Sequence, residues 1–184
     1  YTQEEIPTLE EFAEPKNAVK LVPFQFLFST FQFDWEIGKT PQSSIQITPS
    51  LTVLDEGNEK ILGGGLGLTK KFYLQPSLIR LQGFYAGVHA AYKYFNIENN
   101  INDSLSVTNI HAIELHLIMG YQVIVEEIIA VDLYFGGGMR KAFCDKDCSD
   151  FQRIFSIGYS GINPKIGFSI GIYFSSLKDL SFGK

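Results

Sequence analysis

The sequence predicts an all-β fold, an eight-stranded antiparallel β-barrel that spans a membrane. Apolar side chains recur at every second position over segments of about ten residues, as in membrane-spanning strands. Glycine is frequent, with 17 residues, and no apolar run reaches the roughly 18 residues of a membrane-spanning helix. Strands in lipid must close into a barrel, because open edges would leave backbone groups without hydrogen bonds. The 184 residues provide room for one such domain.

The segment 80–95 shows the alternation most clearly. Its even positions from Phe84 to Tyr94 are apolar or aromatic, whereas the odd positions, including His89 and Lys93, are small, aromatic or charged. The segment is longer than the usual strand of about 5 to 6 residues and suits the roughly 9 to 11 residues that cross a bilayer at a tilt. One face is therefore predicted to contact lipid, and the other to line the barrel lumen.

Seven further segments repeat this pattern and complete the eight strands. Their outward apolar positions fall within residues 22–28, 31–37, 45–53, 62–72, 113–123, 129–139 and 166–174. The barrel domain is predicted at 18–174, with tails at 1–17 and 175–184. Because the strand number is even, both termini lie on the same side of the membrane.

The connections predict which side that is. Those near 39–42, 74–77 and 125–127 are short, whereas those at 55–60, 96–108 and 143–161 are longer and polar; the first, at Ser29 and Thr30, is a short exception. Outer-membrane barrels have short periplasmic turns and longer external loops. Both termini are therefore predicted to be periplasmic. The start at Tyr1, without a signal peptide, is interpreted as a mature chain after export to the outer membrane.

The inward positions carry a balanced set of charges. This predicted lumen charge network comprises Asp34, Glu36, Lys71, Lys93, Glu114, Asp132, Arg140 and Lys165. The interior of an eight-stranded barrel is just wide enough for side chains, and an unpaired ion there costs several kcal/mol. Four acids facing four bases predict a plugged, salt-bridged lumen with no open channel.

Catalytic, cofactor and metal sites are not predicted. The glycine runs at 63–67 and 136–138 lack the Gly-Lys-Ser/Thr sequence of a phosphate loop. His89, Glu114 and His116 face inward and could bind zinc, but their heights are expected to differ, and a hydrogen-bonded polar core is the favoured interpretation. His111 lies at the rim, where a lipid-modifying enzyme would need a serine nearby, and none is in reach.

The segments GGGLGLTKKFYL, GFYAGVHAAYKYF and GINPKIGFSIGIYF, together with residues 18–51, resemble small outer-membrane β-barrel proteins of the Bacteroidetes type, a family largely of unknown function. The resemblance covers roughly residues 18 to 174. It implies a fold and an outer-membrane location. The tail that follows Phe174 departs from the family, whose chains commonly end at the last aromatic residue.

Two smaller features belong to the predicted external loops. Cys144 and Cys148 lie in CDKDCSD, and two cysteines in an oxidising exterior predict a disulfide rather than a zinc site. Asp103-Ser104-Leu105 resembles the O-glycosylation acceptor of the bacteria that carry this family, which makes Ser104 a candidate site. The alternative is that this segment is an unmodified, flexible surface loop.

The N-terminal tail is acidic, contains two prolines and has too few apolar residues to form a core. We expect it to fold under the barrel or to dock on a periplasmic partner through Tyr1, Glu4, Glu5, Glu10, Glu11 and Glu14. The favoured function is a non-enzymatic accessory subunit of a barrel-insertion, secretion or nutrient-import complex. The alternatives are a free-standing adhesin or structural barrel, a lipid- or cell-wall-modifying enzyme, and a soluble lipocalin-like carrier.

The expected partners are outer-membrane lipids and other membrane proteins. The net charge of −5 argues against nucleic acid, which requires a concentrated basic surface. No cofactor is expected, and no small-molecule substrate is evident from the sequence.

Overall fold

The computed structural model describes residues 16–40, 42–57, 59–74, 81–101, 104–145 and 157–174. They form one closed antiparallel barrel in which each strand pairs with its neighbours in sequence and the last strand pairs with the first. The strands are β1 (Lys16–Leu21), β2 (Thr30–Thr40), β3 (Ser43–Glu56), β4 (Glu59–Tyr73), β5 (Gly83–Ile101), β6 (Ser104–Val125), β7 (Ile129–Cys144) and β8 (Gly161–Phe174). The predicted all-β, eight-stranded antiparallel fold is therefore confirmed. Within the described residues, no helix is long and apolar enough to cross a membrane.

The barrel has two ends, which we name by their connections. The turn end carries the start of β1, the end of β8 and the connections at 41–42, 74–82 and 126–128. The loop end carries the connections at 22–29, 57–58, 102–103 and 145–160. The connection from β7 to β8 agrees with the long loop predicted at 143–161.

The outer surface of the barrel is apolar. Leu117 is 69% exposed and Leu66 59%, whereas inward residues such as Glu36 and Asp132 are fully buried. We call the outward-facing apolar residues the apolar belt; they include Phe33, Trp35, Leu51, Leu66, Leu68, Phe72, Phe84, Val88, Tyr92, Ile113, Leu115, Leu117, Met119, Leu133, Phe135, Ile166, Phe168 and Ile170. The predicted outward and inward faces are confirmed at these positions. Such a surface is stable in lipid and not in water.

The first strand is not where the sequence predicted it. Residues Pro23–Phe28, whose alternating phenylalanines indicated a strand, form a 3-10 helix, and β1 lies before them at Lys16–Leu21. Proline has no backbone N–H to donate and fixes its φ angle, so the ladder ends at Val22, which donates to the Gln32 carbonyl oxygen. Among the described residues, β1 begins at Lys16.

The connection predicted at 96–108 is largely strand. β5 and β6 pair without interruption to Ile101 and Ser104, and side-chain hydrogen bonds join Asn96 and Tyr94 to the Asn109 Oδ1 atom at 2.9 and 2.8 Å. Polar side chains do not end a strand when the ladder continues outside the lipid. The predicted loop at 55–60 is likewise a tight turn, with Glu56 opposite Glu59.

One connection at the turn end is longer than predicted. The sequence placed a short break at 74–77, but β4 ends at Tyr73 and β5 begins at Gly83. Leu81 in this connection is 1% exposed and packs beneath the lumen with Tyr73 and Tyr85. Part of the connection therefore covers the turn end of the barrel.

Glycine permits close approach of neighbouring strands at two inward positions. A Cβ atom at Gly138 would collide with the backbone of Leu115 and His116 on β6. A Cβ atom at Gly171 would collide with the backbone of Val19 and Lys20 on β1. Glycine thus makes room for the large inward side chains of the paired strand.

Candidate functional site: the charged lumen

Four charged side chains meet across the lumen near the turn end. Lys20 of β1 and Lys71 of β4 each contact Glu36 of β2 and Asp132 of β7. The Lys20 Nζ atom lies 2.6 Å from Glu36 Oε2 and 3.0 Å from Asp132 Oδ2; the corresponding distances for Lys71 Nζ are 3.0 and 2.7 Å. These four side chains are at most 1% exposed, and we call them the four-charge network.

Neutral donors complete the hydrogen bonding of the two carboxylates. The Tyr73 hydroxyl donates to Glu36 Oε1 and the Tyr85 hydroxyl donates to Asp132 Oδ1, both at 2.8 Å. Ser44 also donates to Glu36 Oε1. Both lysines donate to the Gln122 Oε1 atom, at 2.8 and 3.2 Å. Buried ions are tolerated when their remaining donors and acceptors are satisfied in this way.

A second charge cluster lies nearer the loop end. We call Lys93, Glu114, Arg140 and Lys165 the upper charge cluster. Glu114 Oε1 lies 3.2 Å from Lys93 Nζ and 3.5 Å from Arg140 Nε, so two bases share one oxygen. Lys165 has no ion pair with a described acid; the charged groups that act on it are Lys93, Glu114 and Asp34. This cluster is therefore rich in cations.

The sequence-based prediction did not include Lys20, which joins the first strand to the network. Lys20 was assigned to no inward position because β1 was placed at residues 22–28. The alternation of Val19, Lys20 and Leu21 just before Pro23 could have identified Lys20 as an inward residue.

Asp34, another predicted lumen residue, accepts a hydrogen bond from Thr48 at 2.8 Å, and its Oδ2 atom has no hydrogen-bond partner among the described residues. Of the eight predicted charges, three lie in the four-charge network and four in the upper charge cluster, and Asp34 belongs to neither.

His89, Glu114 and His116 lie together, contrary to the expected difference in height. The two histidines are directly opposite in the β5–β6 register, and the candidate ligand atoms of all three residues lie within 4.8 Å of one another. His89 shares a 2.8 Å hydrogen bond with Thr69, whereas both ring nitrogens of His116 lack a partner. Ligand types and spacing would suit zinc.

The charges around the histidines oppose a divalent cation. Glu114 is already shared by Lys93 and Arg140, and Lys165 acts on both histidines. A metal ion would enter a region with more bases than acids, where like charges repel it. We therefore still favour the prediction that these three residues form a polar core without a metal ion.

The remaining predicted residues lie at or beyond the edges of the described chain. Cys144 ends β7, but Cys148 lies outside the described residues, so the disulfide stays a prediction. Ser104 begins β6, and its side chain is not among those described. The tail residues Tyr1, Glu4, Glu5, Glu10, Glu11 and Glu14 also lie outside.

No protein-family model and no curated protein matches this sequence. Among solved structures, the N-terminal β-barrel domain of OprF from Pseudomonas aeruginosa is similar. The identity is 15% and the TM-score 0.43, over 88% of this chain and 96% of that domain. A likeness this remote carries no information about function.

Removal of one acid from the four-charge network should weaken the barrel. Asp132→Ala leaves Lys20 and Lys71 with Glu36 alone, and we expect a loss of about 3 to 5 kcal/mol in the free energy of unfolding. Asp55→Ala is the matched control, because Asp55 forms an ion pair with Lys60 in which both side chains are more than half exposed. Its loss should be at most about 1 kcal/mol. Urea unfolding in micelles measures both, and equal losses would contradict the buried network.

Proposed function

We propose that the protein is a non-enzymatic barrel of the bacterial outer membrane, with a plugged lumen, that acts as an accessory subunit of a larger envelope complex. The apolar belt is the observation that carries the membrane location. From Phe84 to Tyr94 on β5 the chain rises ~33 Å along the strand, or ~25 Å along the barrel axis at a tilt of ~40°. Outer-membrane barrels have an apolar band of about this height.

Aromatic side chains at both borders of the belt support the same proposal. Phe84 and Tyr121 stack near the turn end, with ring centroids 4.5 Å apart. Tyr94 and His111 stack near the loop end, with ring centroids 5.0 Å apart. Aromatic girdles lie at both membrane interfaces in barrels of this kind. The resemblance of the sequence to small barrels of the Bacteroidetes type agrees with this location.

The arrangement of the lumen supports a plug. The four-charge network joins side chains from β1, β2, β4 and β7, so that it crosses the lumen. On the turn side it is covered by Tyr73, Tyr85 and Leu81. On the loop side, apolar residues fill part of the lumen; they are Ile61, Phe95, Ile97 and Ile110. Within the part of the chain that the structure describes, these layers support a lumen without a continuous aqueous path.

The plug can be tested in planar lipid bilayers. We expect no stable ion conductance from the purified barrel, because the network and its tyrosine cover block the lumen. A wide bacterial porin inserted in the same bilayer serves as the positive control. A steady open conductance, proportional to the number of inserted barrels, would contradict the proposal.

If the lumen is filled, the protein can contact partners only through its outer surface, its loops and its tails. A shallow groove of ≈ 410 Å³ lies on the outward face between β3 and β5, where Ala90 is flanked by Leu66, Leu68 and Tyr92. Small residues beside large ones allow close packing of another surface in lipid. This groove supports lateral contact with a neighbouring membrane protein, and the acidic tail would supply a second, periplasmic contact.

The second candidate is a free-standing adhesin. The β5–β6 hairpin favours it, because the strands remain paired from Tyr94 to Ile101, beyond the border of the apolar belt. A projecting hairpin of this kind presents polar side chains such as Asn96 and Asn109 to the exterior. With both termini periplasmic, the loop end would face the cell surface.

The two candidates differ in the role of the N-terminal tail. Deletion of Tyr1 to Glu14 should leave a heat-modifiable, membrane-inserted barrel, because the first strand begins only at Lys16. The same deletion should release the protein from the complex with which it co-purifies after gentle detergent extraction. Deletion of residues 177–184 is the matched control and should retain the partners.

Full retention of partners by the N-terminal deletion would show that the tail is not the tether. The accessory role would then depend on lateral contacts at the groove alone. If mass spectrometry recovers no partner with the intact chain, the accessory role is contradicted and the adhesin is the better assignment.

A further inference from the structure

Lys20 changes the charge balance of the lumen. Without Lys16, Glu56 and Glu59, which lie at the ends of their strands, five bases face four acids among the described inward residues; the bases are Lys20, Lys71, Lys93, Arg140 and Lys165, and the acids are Asp34, Glu36, Glu114 and Asp132. The four-charge network is neutral by itself. The excess positive charge therefore lies above it, where Asp34 and Glu114 oppose three bases among the described residues away from the strand ends. An unpaired charge in such a place is costly unless a counter-ion approaches it.

A cavity gives that region access to the loop end. Its volume is ≈ 430 Å³, within the range of about 300 to 1,000 Å³ of small-molecule sites. Lys93 and Arg140 lie in its wall, with side chains 30% and 10% exposed. Ser50 and Thr52 add hydroxyl groups. The excess charge is thus reachable by a solute from outside the barrel.

Lys93 and Arg140 have N–H donors that no described residue accepts. Arg140 donates through one Nη atom to the Ile157 carbonyl oxygen, and its Nε atom, 3.5 Å from Glu114, forms no hydrogen bond. Among the described residues, Lys93 has one ion pair, with Glu114. A guanidinium carries five N–H donors and an ammonium three, so both can bind a further acceptor. An anion between them would satisfy donors that the protein does not.

Apolar side chains form part of the remaining cavity wall, beside hydroxyl and amide groups. Phe28, Leu54, Phe95 and Ile157 face the space beside the two bases. A small inorganic ion would leave these surfaces uncovered, whereas an organic anion would bury its body against them. Glu56 also lines the cavity, but it is exposed at the end of β3, where water screens its charge.

We propose that this cavity binds a small monocarboxylate, with the carboxylate against Lys93 and Arg140 and an aromatic or aliphatic body against Phe28, Leu54, Phe95 and Ile157. One negative charge balances the excess of one positive charge. The guanidinium fork matches a carboxylate in geometry. The site would retain or sense a solute at the loop end, because the four-charge network blocks passage below it.

Benzoate and benzamide provide a matched pair of probes, since they have nearly the same shape and differ in charge. We expect benzoate to cause saturable chemical-shift changes at cavity residues of the isotope-labelled full chain in micelles. Benzamide should bind at least about tenfold more weakly, because it lacks the charge-assisted contacts. Equal binding of the two probes would overturn the proposal, as would identical shifts with chloride alone.

Two variants locate the site. Lys93→Gln should weaken benzoate binding about tenfold or more while Glu114 keeps its contact with Arg140. Lys60→Gln, which removes an exposed lysine outside the cavity, is the matched control and should bind as the unaltered protein does. Heat-modifiability on a gel verifies that each variant is folded. Unchanged affinity in folded Lys93→Gln would overturn the proposal; if that variant does not fold, the comparison of benzoate with benzamide on the unaltered protein decides.

Discussion

The four-charge network is the interaction on which the rest of the barrel depends. A chain that places most of its apolar side chains outward has polar and charged side chains left for the middle of its interior. Those groups are stable there only when each charge and each donor has a partner. Lys20 and Lys71 bridge Glu36 and Asp132 from four strands, so the network ties the first strand of the barrel to the seventh. The same four side chains therefore both fill this part of the lumen and join strands of the closed sheet.

The two halves of the lumen differ in charge and in access. Near the turn end, the charges are balanced, fully buried and covered by the Tyr73 and Tyr85 rings. Near the loop end, Lys93 and Arg140 share one glutamate and border a cavity. We propose that the first half stabilises the barrel and blocks passage. The second half has the unused donors and the space that a ligand requires, which separates the structural part of the lumen from the part available for function.

The period-two pattern predicted the outward-facing residues correctly because strand alternation is local. It failed at Lys20, since the phenylalanines of Pro23–Phe28 alternate as in a strand while the proline at their start ends the ladder. It also failed at the long β5–β6 hairpin, where backbone pairing continues among polar residues outside the belt. The clustering of His89 with His116 depends on cross-strand register, which no single segment contains. The face on which a side chain lies could therefore be predicted from the sequence, whereas contacts between side chains of different strands could not.

The membrane location is the central claim, and the chain contains a natural probe of it. Trp35 is the only tryptophan and lies in the apolar belt of β2 with 43% of its surface exposed. In vesicles of lipids brominated along their acyl chains, we expect strong quenching of its fluorescence, and little quenching by iodide added to the water. Quenching by iodide with no effect of the brominated lipids would show that this face meets water, and the account of a lipid-facing barrel would be wrong.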